Sequence, residues 1–473
     1  MDNNWTYPPF AALGVVQLRM EAHIMRSGNP HPRTVVTLGV GVVCAASAAL
    51  PVLAEVEIPP GFEVVQITDD DHEDTRPRMN NCGQIVFSKV IEPGADNEEI
   101  FLYDNGQLIR LTDNDVRDTS PDINDHGTIV WSQAKVPGAE GLDLEIVMYQ
   151  NGEVIQVTND QYADIGPRVN SLDHIVWYQR SGPGCPPDPN DGVIFFYDGV
   201  EIQDIARDEF TNQAAAINDF DDIAWTRYNF CVTPWEGTIM VRISGETTEL
   251  GNPEDQNQSV DINNLGQVVW ANNTRAVFLW QNGSTELLTE SGRVPDLNNE
   301  GDLAFSRWDD DAETWDQWAI IQDDIFQLTD EPITNGNGVI NDYREMAWRR
   351  GAASEQELIR LRPVLGNCNG DGAVDVLDFE PFGDCMTGPL RSSGLWCQGT
   401  ADLEGDGDVD LYDFVLLQLT APDPSALEGF IPCMTGPLPS RDPCFCRLLD
   451  LDHDSDVDLG DFLLFQELVD STP

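Results

Sequence analysis

One eleven-residue pattern recurs seven times in this chain, and it limits the folds open to it more than any other feature. The copies are PRMNNCGQIVF (77–87), PDINDHGTIVW (121–131), PRVNSLDHIVW (167–177), AAINDFDDIAW (215–225), VDINNLGQVVW (260–270), PDLNNEGDLAF (295–305) and GVINDYREMAW (338–348). Asparagine holds one position throughout: Asn80, Asn124, Asn170, Asn218, Asn263, Asn298 and Asn341. An aromatic follows seven residues later each time: Phe87, Trp131, Trp177, Trp225, Trp270, Phe305 and Trp348. The copies stand 35 to 48 residues apart. A repeat of that length is one supersecondary unit, which must stack on its neighbours to bury its apolar face.

Each unit reads as four strands. The segment before the Asn is the first, and the IVW-like segment is the second. The Asn-x-x-Gly step between them is a hairpin turn whose last position wants positive φ. Gly83, Gly127, Gly266 and Gly301 stand there, with Asp173, Asp221 and Arg344 in the other copies. Two more strands follow, joined by Asn-Gly or Asp-Gly turns, as in FLYDNGQLIRLTD (101–113) and FLWQNGSTELLTE (278–290). Four-stranded units of this length describe the blades of a β-propeller. A lone strand, FEVVQITD (62–69), precedes the first unit, and the last unit ends after ELIRLRP (357–363). The N-terminal strand is therefore expected to complete blade seven and remove a free edge. The expected fold class is an all-β seven-bladed β-propeller over 55–366, with a small C-terminal α/loop domain over 367–473. Several units end in a "QLT" motif (Gln66-Ile67-Thr68, Gln156-Val157-Thr158, Gln327-Leu328-Thr329), and here the chain resembles the TolB-like and WD40-like propellers of secreted bacterial proteins. Such propellers host enzymes, receptors and scaffolds, so the fold alone implies no function.

Within this plan the repeat aromatics read as core between blades. An Asx also stands six residues before the repeat Asn: Asp74, Asp118, Asp164, Asn212, Asn257 and Asn335, with Gly292 the exception. This column reads as structural, bonding turn backbone where blades meet; a ring holding a cation or sugar hydroxyls is the other reading. The long polar loops between second and third strands, and between units, share one face. That face carries Tyr228, Trp235, Trp308, Trp315 and Trp318, candidates for stacking on a sugar or anchoring a partner. Cys185 and Cys231 fall in equivalent loops of adjacent blades and are expected to pair; Cys82 with Cys368 is a second candidate pair.

The charge balance is 83 acidic against 25 basic residues, a formal net charge of −58. That field repels nucleic acid, whose phosphates need Lys/Arg patches. It fits a divalent cation or an extracellular life. Residues 1–54 read as an over-extended N-terminus and signal peptide. Met25, followed by Arg26 and Arg33, is the expected start, the apolar run 34–50 follows, and cleavage is expected after Ala54. That run is short of the ~20 residues that span a bilayer, and no longer one follows, so no membrane span is expected after cleavage. Nine of the ten cysteines lie beyond Ala54, which agrees with disulfides in an oxidising, secreted or cell-surface setting.

The last quarter of the chain carries three acidic loops. Calcium takes oxygen ligands from loop positions 1, 3, 5, 7, 9 and 12, position 7 through its carbonyl. NCNGDGAVDVLD (367–378) places Asn367, Asn369, Asp371, Ala373, Asp375 and Asp378 there. DLEGDGDVDLYD (402–413) places Asp402, Glu404, Asp406, Asp408, Asp410 and Asp413. DLDHDSDVDLGD (450–461) places Asp450, Asp452, Asp454, Asp456, Asp458 and Asp461. Val374, Val409 and Val457 recur inside the loops and Phe379, Phe414 and Phe462 follow them, which a disordered acidic tail does not require. Asp at position 12, with a helix after the loop and none clear before it, resembles type I dockerin repeats. The resemblance implies Ca²⁺-dependent folding and either docking onto a cohesin-like or cell-envelope protein or service in a polysaccharide-degrading system. The chain departs from that pattern in having three copies, 35 and 48 residues apart, and Val376-Leu377, Leu411-Tyr412 and Leu459-Gly460 at the partner-reading positions. The repeated CMTGPL (385–390 and 433–438) makes Cys385–Cys397 and Cys433 with Cys444 or Cys446 plausible local staples.

No catalytic constellation stands out. There is no GxSxG, HExxH or Gly-rich phosphate loop. His72, among Asp69 to Asp74, is the least unsuitable candidate for a metal-assisted lyase site. The sequence therefore points first to a secreted non-catalytic propeller that binds a glycan or a protein and is attached through the Ca²⁺-dependent module. A polysaccharide hydrolase or lyase of a dockerin-bearing system is the alternative.

Overall fold

The computed structural model describes residues 58–363, apart from 60–61, 92–96, 105, 138–142, 181–190 and 353–354, together with Leu464. They form seven four-stranded antiparallel sheets. The innermost strands touch one another in turn, and the seventh touches the first, so the sheets are the blades of a closed propeller. Within a blade the strands run a to d outward. Blade one is Glu73–Met79, Ile85–Val90, Glu98–Asp104 and Gln107–Arg110. Blade seven takes strands a to c from Asn335–Ile340, Met346–Ala352 and Glu355–Pro363. Its strand d is Phe62–Gln66, paired antiparallel with Phe62 opposite Pro363, as the lone N-terminal strand leads one to expect.

The core lies between blades. Val86, Ile100 and Leu102 of blade one pack with Ile123, Ile129, Trp131 and Val147 of blade two. Trp131, Trp177, Trp270, Trp348, Phe87 and Phe305 are the largest fully buried side chains. Each aromatic or aliphatic side chain so placed contributes roughly 1.5–3 kcal/mol over an exposed one.

A buried indole brings a donor that needs an acceptor. The column six residues before the repeat Asn supplies it. Trp131, Trp177, Trp225, Trp270 and Trp348 donate Nε1–H to Asp118, Asp164, Asn212, Asn257 and Asn335 at 2.8 to 3.1 Å. Asn212 and Asn257 also donate to the carbonyls of Gly192 and Gly237, in the preceding blade, at 3.0 Å. The two blades with Phe break the pattern. Gly292 lies against Phe305, where a Cβ would come within 2.9 Å of the ring. Asp74 turns instead to Thr68 and Lys89. The column is structural, and its rule is the indole rather than the turn alone.

The repeat Asn does two jobs. Its side-chain oxygen closes the hairpin turn; Asn124 Oδ1 accepts the N–H of His126 and Thr128 at 3.1 and 3.0 Å. Its Nδ2 donates to the backbone carbonyl of the next repeat Asn, at 2.8 to 3.1 Å, in all seven blades. The last of these, Asn341 to Asn80, closes a ring around the axis. All seven turn positions have positive φ, from 61° at Asp221 to 89° at Gly301.

Candidate functional site

On strand a, the residue two before the repeat Asn lines the axial cavities in every blade but four, where Ala216 packs into core. Around the ring this column reads Arg78, Asp122, Arg168, Ala216, Asp261, Asp296 and Val339. Arg78 Nη1 lies 2.9 Å from Asp296, its Nε is 3.9 Å from Asp122, and Arg168 is 3.7 Å from Asp122. The second oxygens of Asp122, Asp261 and Asp296 accept the N–H of Val169, Leu297 and Ile340 in the next blade, each at 2.9 Å. Burial pushes Asp122 up to about 7, against the pull of Arg78. Burial, then the Asp296 carboxylate, raises Asp261; burial also raises Asp296, against the pull of Arg78. This layer bounds two axial cavities, about 270 Å³ toward the loop face and about 180 Å³ toward the Asn turns. The layer is a tie between blades with limited room beside it.

Strand a also carries a bulge, with a left-handed residue four before the repeat Asn in every blade. These are Arg76, Ser120, Gly166, Ala214, Ser259, Val294 and Asn337, with φ from 48° to 63°. Only one is glycine, and Val294 is β-branched, a conformation that costs energy. The bulge turns these residues into the wall of the larger cavity, beside Tyr178.

On the loop face the expected aromatics form two groups. Tyr228, Phe230 and Trp235 cluster on blade four, with Tyr228 and Phe230 stacked at 5.1 Å. Trp308 and Trp315 meet edge to face at 5.3 Å on the b–c hairpin of blade six. Arg275 lies 5.4 Å from Trp308 and 5.2 Å from Trp315, and Arg293 lies 3.5 Å over Trp315. Burial, then Arg349 and Arg275, lowers Arg293 to about 10. Among the described residues Arg275, Arg293 and Arg349 have no carboxylate within ion-pair distance, and the Nε atoms of Arg293 and Arg349 are buried without a partner. Trp318 departs from the loop assignment: strand c of blade six runs Thr314–Ile321, which places Trp318 opposite Phe305 and packed against the core.

The remaining expectations divide. His72 Nδ1 is 3.0 Å from Asp70 Oδ1, and Asp70 Oδ2 takes Lys89 at 2.6 Å, so this histidine is held in a surface ion network. Cys82 and Cys231 are each disulfide-bonded; Cys185 and Cys368, their expected partners, lie outside the described residues. So do the signal segment and all the calcium-loop residues from Asn367 to Asp461. The axial column stood inside every quoted repeat, yet its seven positions share no chemistry, so only geometry singles it out. The arginine group comes from a b–c turn, a strand a and a strand b of three different blades, and no spacing announces it.

No protein-family model matches this chain, and no curated protein matches it. Solved propellers are similar in fold. The β-propeller domain of the Trilobed protease from Pyrococcus furiosus, described as having an open velcro topology, is 11% identical over 62% of this chain and 94% of that one, with a TM-score of 0.45. Pyrococcus horikoshii acylaminoacyl peptidase is 10% identical over 62% of this chain, with a TM-score of 0.45; the chain spans about half (51%) of its length. A putative TolB from Agrobacterium tumefaciens is 11% identical over 55% of this chain and 95% of that one, with a TM-score of 0.36.

Proposed function

We propose that this chain is a secreted, non-catalytic binding protein whose propeller takes a carboxylate-bearing glycan on its loop face. Residues 367–473 are then its Ca²⁺-dependent, dockerin-like attachment to a cohesin-like or cell-envelope partner. One observation carries the glycan reading. In a chain of net charge −58, three arginines on adjoining blades stand together with no described carboxylate in ion-pair distance, Glu73 attracting only Arg349, and two of the three lie against Trp308 and Trp315. Their mutual repulsion disfavours the empty face. A ligand carboxylate relieves it, and guanidinium forks recognise that group bidentately. The half-buried indoles supply apolar faces for sugar rings.

The test is binding of the full chain to matched polysaccharides with and without uronic acid, beside Trp315→Ala and Arg293→Gln. Preference for the uronic form, lost in both variants, is the expected result. Equal binding of neutral polymers, or of a protein partner alone, refutes the acidic-glycan reading. Release of reducing ends or unsaturated sugars refutes the absence of catalysis.

A further inference from the structure

Blades one, two and three meet the same packing problem with three different sets of residues. In each, the buried Asp six before the repeat Asn is faced by the residues ten before and nine after that Asn. In blade one these are Asp70 and Lys89. Lys89 Nζ bridges Asp70 Oδ2 at 2.6 Å and Asp74 Oδ1 at 3.1 Å, and Thr68 donates to Asp74 Oδ2 at 2.5 Å. In blade two they are Asn114 and Gln133. Asn114 Nδ2 donates to Asp118 Oδ2 at 2.7 Å, while Trp131 and Gln133 donate to Oδ1 at 2.8 Å. Both oxygens are satisfied in both blades.

Blade three has Asp160 and Gln179 there. Trp177 and Gln179 donate to Asp164 Oδ1 at 2.9 and 3.4 Å. Asp164 Oδ2 is buried with no hydrogen-bond partner, in a side chain whose residue is 1% exposed. Blade three thus keeps the acid of blade one without its lysine. Glu145 of blade two crowds in, and one oxygen each from Glu145, Asp160 and Asp164 lie within 4.8 Å of one another. The Thr158 hydroxyl, next to Asp164, spends its single proton on Glu145 Oε2 at 2.5 Å. Lys135 pairs with Glu145, with the Asp160 carbonyl and, at 3.6 Å, with Asp143. Lys135 thus pairs with two carboxylates, Glu145 and Asp143, and leaves those of Asp160 and Asp164 without an ammonium. A second acidic group, Asp309, Asp316 and Asp330, lacks this signature, since Thr329 and Gln327 donate to the two oxygens of Asp316.

We propose that blades two and three clamp a hard divalent cation, Ca²⁺ in the first instance, through Glu145, Asp160 and Asp164. An all-oxygen set with two buried carboxylates suits Ca²⁺, and water completes its shell from the exposed Asp160 side. The site uses none of the arginines or indoles of blades five to seven and none of the loop residues from Asn367 to Asp461.

The blades themselves supply the test. The full chain, freed of metal with chelator, is titrated calorimetrically with Ca²⁺ beside two variants. Asp160→Asn installs the amide of blade two, and Gln179→Lys installs the ammonium of blade one. Each is expected to bind one Ca²⁺ fewer per chain than wild type, and to melt no lower than metal-free wild type. All three chains share the loops at 367–461, so the difference isolates this site. If one variant fails to fold, the other decides. Equal stoichiometry in wild type and a folded variant overturns the proposal, since a proton or Lys135 then suffices at this place.

Discussion

The bond between Asn257 and Trp270 allows the logic of the Asx column to be measured. Both residues are 1% exposed, and the indole N–H donates to Asn257 Oδ1 at 2.9 Å. Asn257 Nδ2 donates in turn to the carbonyls of Gly237 at 3.0 Å and Asn252 at 2.8 Å. Asn257→Ala strands a buried indole donor, at about 1–3 kcal/mol, and removes two further bonds of about 1 kcal/mol each. The expected loss is about 3–5 kcal/mol. Trp270→Phe removes the donor and some packing. Asn257→Gly with Trp270→Phe recreates the Gly292 and Phe305 pair that blade six already uses. The double variant should therefore be less destabilised than the two singles summed, by about 1–3 kcal/mol. Urea unfolding followed by far-UV circular dichroism measures the cycle. Additivity within about 0.5 kcal/mol would refute the claim that the indole dictates the column. Asn257→Asp is the control: it keeps the acceptor and loses both donors.

Acidity should matter at the axis. The folded pKa of Asp122, about 7, stands above its ordinary value of 3.8, so its stabilisation is full below 3.8 and is lost as pH rises through about 7. The wild-type melting temperature, less that of Asp122→Asn, should therefore fall between about pH 5 and about pH 8; a constant difference would refute the assignment. Asn170→Ala should cost about 2–4 kcal/mol, read by urea unfolding, because it breaks two turn bonds and two bonds to blade four. Gly83→Ala should destabilise more than Gly127→Ala in calorimetric melting. Both have positive φ, but only at Gly83 would the new Cβ come within 2.3 Å of Arg360 and 2.9 Å of Glu345, which pair with each other.

The fold was legible where each blade solves a local problem alike. A hairpin turn, a buried aromatic and a capping Asn leave the same letters in every copy, and the strand of blade seven was visible as one too few at the end and one too many at the start. What stayed hidden depends on neighbours. The column from Arg78 to Val339 is a single layer only because seven strands converge there, and residues that balance one another in space need not resemble one another in sequence. The bulge was hidden for another reason. Arg76, Ala214 and Val294 are not residues that announce a left-handed backbone, so tertiary packing imposes it on them. The Asx column was visible as a spacing, but its dependence on Trp required seeing that thirteen residues along the chain bring the two side chains together.

The register of blade seven has a mechanical consequence. Phe62, first in its strand, lies opposite Pro363, last in its own. The chain therefore enters and leaves the propeller at the same end of one hairpin-like pair. Tension applied between the two ends loads that pair one rung at a time, as a zipper, instead of shearing all rungs together. The Asn341 to Asn80 bond, which joins blade seven to blade one across 261 residues of sequence, is a second tie near the same closure. A tethered propeller of this build gives way first where it was last closed.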